Sequence, residues 1–425
     1  MILTLALTSA CEQSPKWEGS LEALLESRPD MFGKVVKSPD KYRVQIIYTQ
    51  INRDADNKPS FNDYIYNVNP SLYFYPASTV KLPTAALALE KIKRLNQPGL
   101  DRDATLLTDS AADYQTVVSR DETSPTGLPS VAHYIRKILL VSDNDAFNRL
   151  YEFIGQQELN ESMRDKGFQN TRIVHRLERA LSKPENQWTN PIRFIDGEKV
   201  LWAQKDVRSE TEFYGKQPEL LGQAEVVNGQ RLERPKDFSE KNAYALQDQH
   251  NVLKSLLFPG AVPSKQRFDL SEDDYRFLYR YMSMYPGESG IGIYGDEEKY
   301  PPGYVKFLMF GGDANTIPSH IRVFNKVGDA YGFLTDTAYI VDFKNEIEFL
   351  LSATIYTNEN QTFNDNIYEY DKIGLPFMEN LGQAIYEIEL NRQRDFKPDL
   401  SRFQFTGQHY LSERKERTER TQREH

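Results

Sequence analysis

The stretch YFYPASTVKLPTAALALEKIK, Tyr73 to Lys93, sets a serine and a lysine three residues apart, just after a proline and at the opening of an apolar run. Leu82, Ala85, Ala86, Leu89 and Ile92 recur at helical spacing. Pro83 falls early in that helix, where its missing amide costs little. A spacing of three puts Ser78 and Lys81 on one helix face, close enough for an amine to reach a hydroxyl. A serine is a weak nucleophile until a base takes its proton, and a desolvated lysine with a lowered pKa can be that base. The amides at the helix start can stabilise an oxyanion. The tetrad SxxK occurs three times, from Ser38, Ser78 and Ser412, and only the second opens an apolar helix. Taken alone, it also fits a helix cap followed by a solvated lysine.

Two further stretches bear on that choice. LLVSDNDAFNRLYEFIG carries Ser142, Asp143 and Asn144 at a helix junction, 64 residues after Ser78. These residues could simply cap the helix of Phe147, Leu150 and Phe153. They could equally point into a cleft, with Ser142 relaying a proton, Asn144 holding a substrate amide and Asp143 bracing the turn. Later, FNKVGDAYGFLTDTAYIVD places Lys326 near the end of a strand, followed by Gly328, where a backbone can approach closely.

SxxK, SDN and KxG in this order, each in a fitting element, resemble the penicillin-recognising serine acyl enzymes and most closely the class A beta-lactamases. The resemblance spans roughly Tyr42 to Leu390. It implies an acylated Ser78, Lys81 as its base, Ser142 as a proton shuttle and Asn144 as a substrate contact. It also implies that Lys326 lowers the hydroxyl pKa and attracts a substrate carboxylate, Gly328 borders the substrate, and the amides of Ser78 and Asp329 form the oxyanion hole. Two departures stand out. The third motif reads Lys326-Val327-Gly328, without the hydroxyl that usually helps bind a carboxylate; such a lost bond costs about 1.5–3 kcal/mol. The loop RLERALS matches the water-activating RxExxLN segment at Arg176, Glu178 and Leu181, but Ser182 replaces the asparagine. Glu178 is therefore the candidate base for deacylation, with a solvated loop carboxylate as its ordinary alternative and Glu185 as a second choice.

Outward from these motifs, YRVQIIYTQINR and DYIYNVN alternate like an antiparallel strand pair. Helical patterns follow, from Pro129 to Ile154, Gln157 to Lys166, and in DFSEKNAYALQDQHNVLKSLLF and SEDDYRFLYRYMSMY. Strand patterns return at Tyr304 to Phe310, Ser319 to Gly328, Gly332 to Phe343 and Glu346 to Thr357, and a helix near Tyr370 to Leu390 closes the chain. The expected fold is α/β (α+β) and beta-lactamase-like: an antiparallel sheet built from both chain ends, flanking helices and an inserted all-helical lobe. The expected units are a signal or anchor over 1–11, a leader linker over 12–41, a catalytic domain over 42–390 with an insertion at about 195–304, and a solvated charged tail over 391–425. The insertion's aromatics, Tyr275, Phe277, Tyr279, Tyr281 and Tyr285, read as packing residues.

The 425 residues are 39% apolar, enough for one large core or two smaller ones. A net charge of -10 without a basic stripe gives no footprint for nucleic acid. Six scattered histidines and a single cysteine give no reason to expect a metal or other cofactor. That cysteine, Cys11, ends the apolar run MILTLALTSAC, which looks like a lipoprotein signal and implies a lipid-anchored protein of the cell envelope; a cytosolic N-terminal strand is the alternative. Three functions are expected candidates: a beta-lactamase-like serine hydrolase, a related acyl enzyme acting on D-alanyl cell-wall peptides, and a binding lipoprotein that uses the fold without turnover.

Overall fold

The computed structural model describes Trp17 and residues 19–405; Cys11 and the chain beyond 405 lie outside the described residues. The elements used below are, in chain order, α1 (Leu21–Glu26), α2 (Pro29–Val36), β1 (Gln45–Arg53), β2 (Pro59–Tyr66), α3 (Lys81–Leu95), β3 (Thr105–Thr108), α4 (Val131–Val141), α5 (Asn144–Ile154), α6 (Gln156–Asp165), β4 (Ile192–Asp196), β5 (Lys199–Gln204), α7 (Leu246–Leu257), α8 (Glu272–Ser283), β6 (Ile321–Ala330), β7 (Phe333–Asp342), β8 (Ile347–Tyr356) and α9 (Leu375–Asn391).

The main sheet runs β6-β7-β8-β1-β2, all neighbours antiparallel, so both ends of the described chain complete one sheet as expected. Every residue of β7 and β8 is buried, because helices cover both faces. Strand alternation sorts the side chains: Val323, Ala338, Ile340, Phe349 and Leu351 join the core under α1, α2 and α9, while Phe324, Tyr339 and Leu350 join the core under α3 to α8. Tyr275, Phe277, Tyr279 and Tyr281 of α8 belong to that second core and Tyr285 is buried too, in keeping with the packing reading. Among the described residues no helix is long and apolar enough to cross a membrane.

Four sequence expectations need correction. The inserted lobe is not all-helical: β4 and β5 pair with β3 in a three-stranded sheet, and short strands between 207 and 244 form further small pairings. These strands run two to six residues, too short for alternation to register. The run Tyr304–Phe310 is not a strand but a succession of turns. Val305 and Met309 have positive φ (55° and 72°), and Lys306 is wholly buried, donating to Met282 O, Val323 O and Asn325 Oδ1 at 2.7–2.9 Å. This segment lies directly on α9 at Gly382, where a Cβ would come within 2.3 Å of Met309 N.

The stretch called a leader linker is structured from residue 19 onward. α1, α2 and a single turn at Pro39–Tyr42 bury Leu21, Leu24, Leu25, Phe32, Val35 and Tyr42 against the sheet. The charged tail likewise starts later than 391, because Leu400 and Phe403 insert into the core and Arg392 and Arg394 pair with the buried Glu389. In both places a few apolar residues, widely spaced in polar sequence, are enough to dock the chain.

Candidate active site

Ser78 stands in a 3-10 turn, Ala77–Val80, that leads directly into α3, and Lys81 is the first residue of α3. Ser142 caps the C-terminus of α4 in a left-handed conformation, and the Asp143 carboxylate caps α5 by accepting from Ala146 N at 2.7 Å. Asn144 opens α5, and Lys326 projects from the sheet-edge strand β6. The nucleophile turn is fixed from behind by β6: a Cβ on Gly328 would lie 2.5 Å from Pro76 O and 2.9 Å from Ser78 N. That glycine is thus required by the backbone of the Ser78 turn, a different reason from the substrate approach expected of it.

These elements bring five of the predicted residues into one hydrogen-bonded cluster. Lys81 Nζ donates to Ser78 Oγ (2.8 Å), Asn144 Oδ1 (2.5 Å), Ser142 Oγ (3.2 Å) and the Ser142 carbonyl. Lys326 Nζ donates to Ser142 Oγ at 2.8 Å and to Val327 O at 2.9 Å. Ser142 Oγ therefore sits between two lysine amines. Burial, and then the like charge of Lys326, push the Lys81 pKa well below that of a free lysine, against the pull of Asp143, Asp329 and Glu178. Burial also lowers Lys326, to about 7, opposed by Asp329 and Asp336. A lysine that can lie unprotonated beside a serine is the base the sequence pattern calls for.

Glu178 and Asp329 stand at the margin of this cluster. Both are exposed, neither side chain bonds to the cluster, and the charge of each reaches Lys81. Glu178 holds φ 53°, which disfavours a non-glycine residue by roughly 1–2 kcal/mol. Ala77 (46°) and Ser142 (58°) share that region, so three strained residues belong to this one site. Glu185, the second candidate base, is used otherwise: its Oε2 accepts from Ser182 N and Oγ, both at 2.7 Å, closing the cap of the short helix Lys183–Gln187.

The strain at Glu178 is sustained by anchors that were not singled out in the sequence. Asn148 on α5 grips Leu177 twice, donating to its carbonyl (3.0 Å) and accepting from its amide (2.8 Å). Glu152, one turn further along, pairs with Arg176 (2.8 Å) and Arg149 (2.9 Å), all three nearly inaccessible to solvent. The only sequence signal was three polar residues on a helix otherwise made for the interior, AFNRLYEFI. A second omission is Phe238. Its fully buried ring lies 5.5 Å from Tyr73, 6.1 Å from Tyr75, 5.5 Å from Tyr331 and 5.0 Å from Phe363, so the insertion buttresses the segment that delivers Ser78.

Residues 34–212 match the beta-lactamase enzyme family. Over that segment the chain is similar to the beta-lactamase enzymes. Solved structures similar to this chain include PBP-A, at 13% identity over 88% of this chain and 100% of that one, with a TM-score of 0.48. The beta-lactamase of Sphaerobacter thermophilus is 12% identical over 86% of this chain and 96% of its own (TM-score 0.46), and an ancestral class A beta-lactamase is 13% identical over 86% and 99% (TM-score 0.42). No curated protein matches the sequence.

Proposed function

We propose that the protein is a serine hydrolase that works through an acyl-enzyme on Ser78, opening a beta-lactam or a related amide or ester. The observation that carries this reading is the 2.8 Å contact between Ser78 Oγ and the buried, pKa-lowered amine of Lys81. Unprotonated Lys81 takes the hydroxyl proton as Oγ attacks the carbonyl carbon. The resulting oxyanion is held by the amides of Ser78 and Asp329, a pairing supported by the close approach of Gly328, the residue before Asp329, to Ser78 N. As the carbon–leaving-group bond breaks, the proton passes from Lys81 through Ser142 Oγ, 3.2 Å away, to the departing nitrogen or oxygen. Lys326, 2.8 Å from that hydroxyl, assists the transfer while it is charged. Asn144 accepts from Lys81 through Oδ1, and its amide group is left for the substrate. Water then cleaves the ester, with Glu178 or Lys81 as base.

The strained, twice-anchored position of Glu178 favours hydrolysis over a long-lived acyl-enzyme. A D-alanyl peptide-processing enzyme is the second reading, favoured because no hydrogen bond among the described residues fixes the Glu178 carboxylate. The lipoprotein-like MILTLALTSAC motif supports a place at the cell envelope. The test is turnover of a panel of activated esters, amides and beta-lactams by the intact protein and by Ser78→Ala. Turnover lost by about 10³-fold or more in the variant supports the proposal; no turnover by the intact protein, or turnover undiminished in the variant, overturns it.

A further inference from the structure

Lys137 stands near the end of α4, just ahead of the apolar run Ile138–Val141 that leads into Ser142. Its side chain is 12% exposed, and its amine lies between two carboxylates, 3.1 Å from Asp121 Oδ2 and 3.6 Å from Asp143 Oδ2. Its carbonyl accepts from Asp143 N at 3.3 Å. Asp143 is thereby held on both oxygens, since Oδ1 caps α5 through Ala146 N. Asp121 is oriented in turn: its Oδ1 accepts from Thr123 N at 3.0 Å and from Thr123 Oγ1 at 2.6 Å, and Thr123 Oγ1 lies 2.7 Å from His133 Nε2. With the Thr123 hydroxyl proton given to Asp121, the fully buried His133 donates from Nε2, and its Nδ1 is left without a partner among the described residues. The loop that carries Asp121 closes on itself, Asp121 N donating to Gly127 O at 3.1 Å. Lys137 thus ties a closed loop to the turn in which Ser142 Oγ and Asn144 Oδ1, on either side of Asp143, accept from Lys81 at 3.2 and 2.5 Å.

We propose that Lys137 is a positioning residue: anchored by Asp121, it fixes Asp143 and, through it, the distances from Ser142 and Asn144 to Lys81. This goes beyond the acyl-enzyme reading above and rests on it for its kinetic readout. Ser142 holds a left-handed conformation, φ 58°, that persists only where its surroundings over-determine it. A proton relay through its hydroxyl tolerates little displacement. The bridge also balances charge. Lys81 meets Lys326 across Ser142 Oγ and is acted on by Asp143, Asp329 and Glu178. Lys137 meets Asp121 from the loop and Asp143 from the turn, with His133 of its own helix 3.6 Å from Asp121. Removing the Lys137 cation leaves two carboxylates without it beside the turn and favours protonated Lys81, whereas removing the Asp121 charge does the opposite.

The test is single-turnover acylation by an uncharged activated ester, read by intact mass against ester concentration and pH. It compares the intact protein, Lys137→Met, Lys137→Arg and Asp121→Asn, with Ser78→Ala as control and urea unfolding of each in parallel. Lys137→Met should lower the maximal acylation rate by about tenfold or more with the half-saturating concentration nearly unchanged. Its acid limb should move up by about half a unit. Lys137→Arg, which keeps the charge, should recover most of the rate on the original limb. Asp121→Asn should also slow acylation but move the limb down, a pair of opposite shifts that a purely structural bridge does not produce. A folded Lys137→Met that acylates like the intact protein, or a Lys137→Arg as slow as Lys137→Met, overturns the inference and leaves the acyl-enzyme reading in place. If Lys137→Met does not fold, an unchanged rate and limb in Asp121→Asn overturns it. No Ser78-dependent adduct on the intact protein overturns the acyl-enzyme reading, and this inference with it.

Discussion

At the scale of single residues, the proposed mechanism depends on keeping two lysines apart in protonation. Lys81 serves as base only when unprotonated, so acylation should rise with pH through its lowered pKa. Lys326 assists Ser142 only while charged, so the rate should fall as pH climbs past about 7. The measurement is the pH profile of acylation for the intact protein and for Lys326→Arg. The guanidinium keeps its charge at every accessible pH, so the limb near 7 should vanish; an unmoved limb would assign it to another group. Gly328 is the other decisive residue. Gly328→Ala drives a methyl group into Pro76 O and Ser78 N, both backbone atoms that cannot swing aside. Stability should drop by about 1–3 kcal/mol in urea unfolding, and acylation should fall at least tenfold. Ser78, Lys81, Ser142, Asn144 and Lys326 were legible because short motifs fixed their order. Gly328 was found for an incomplete reason, since a sequence cannot show which backbone crosses which.

At the scale of elements, α5 both presents Asn144 and anchors the segment that carries Glu178. Its Glu152 bridges Arg149 and Arg176 in the interior. Glu152→Ala leaves two guanidinium groups without their buried counter-charge and should destabilise the protein by about 3–5 kcal/mol. Urea unfolding measures the loss. Because the change frees the Glu178 segment more than the Ser78 turn, deacylation should suffer more than acylation, and single-turnover kinetics separate the two. A loss below about 1 kcal/mol, within the range of a surface pair, would mean that the network does not hold the segment. The elements read best from sequence were those with long, regular periods: α3, α4, α5, α8, β1 and the strands β6 to β8. Tyr304–Phe310 was misread because an apolar run carries no mark of the turns within it. Only the neighbours of buried Lys306 explain its path.

Across the whole molecule, the sheet closes from both ends of the described chain and sets Lys326 on its edge strand facing helices drawn from the middle. Ser78 on one side of the cleft thereby meets Lys326 from the other, and SxxK, SDN and KxG become one site only through this topology. The order of strands and helices made that architecture readable in advance. The insertion was not readable: its strands are short and charged, and its contribution, Phe238 packed under the Ser78 approach, depends on a contact with residues distant in sequence. The central claim is that Ser78 of the assembled molecule forms a covalent acyl-enzyme. Its most direct test is time-resolved intact mass with an uncharged activated ester, followed by peptide mapping of the adduct. The expected result is a transient acyl mass on the peptide that contains Ser78, absent in Ser78→Ala. No adduct, or one that maps elsewhere and persists in Ser78→Ala, would contradict the account.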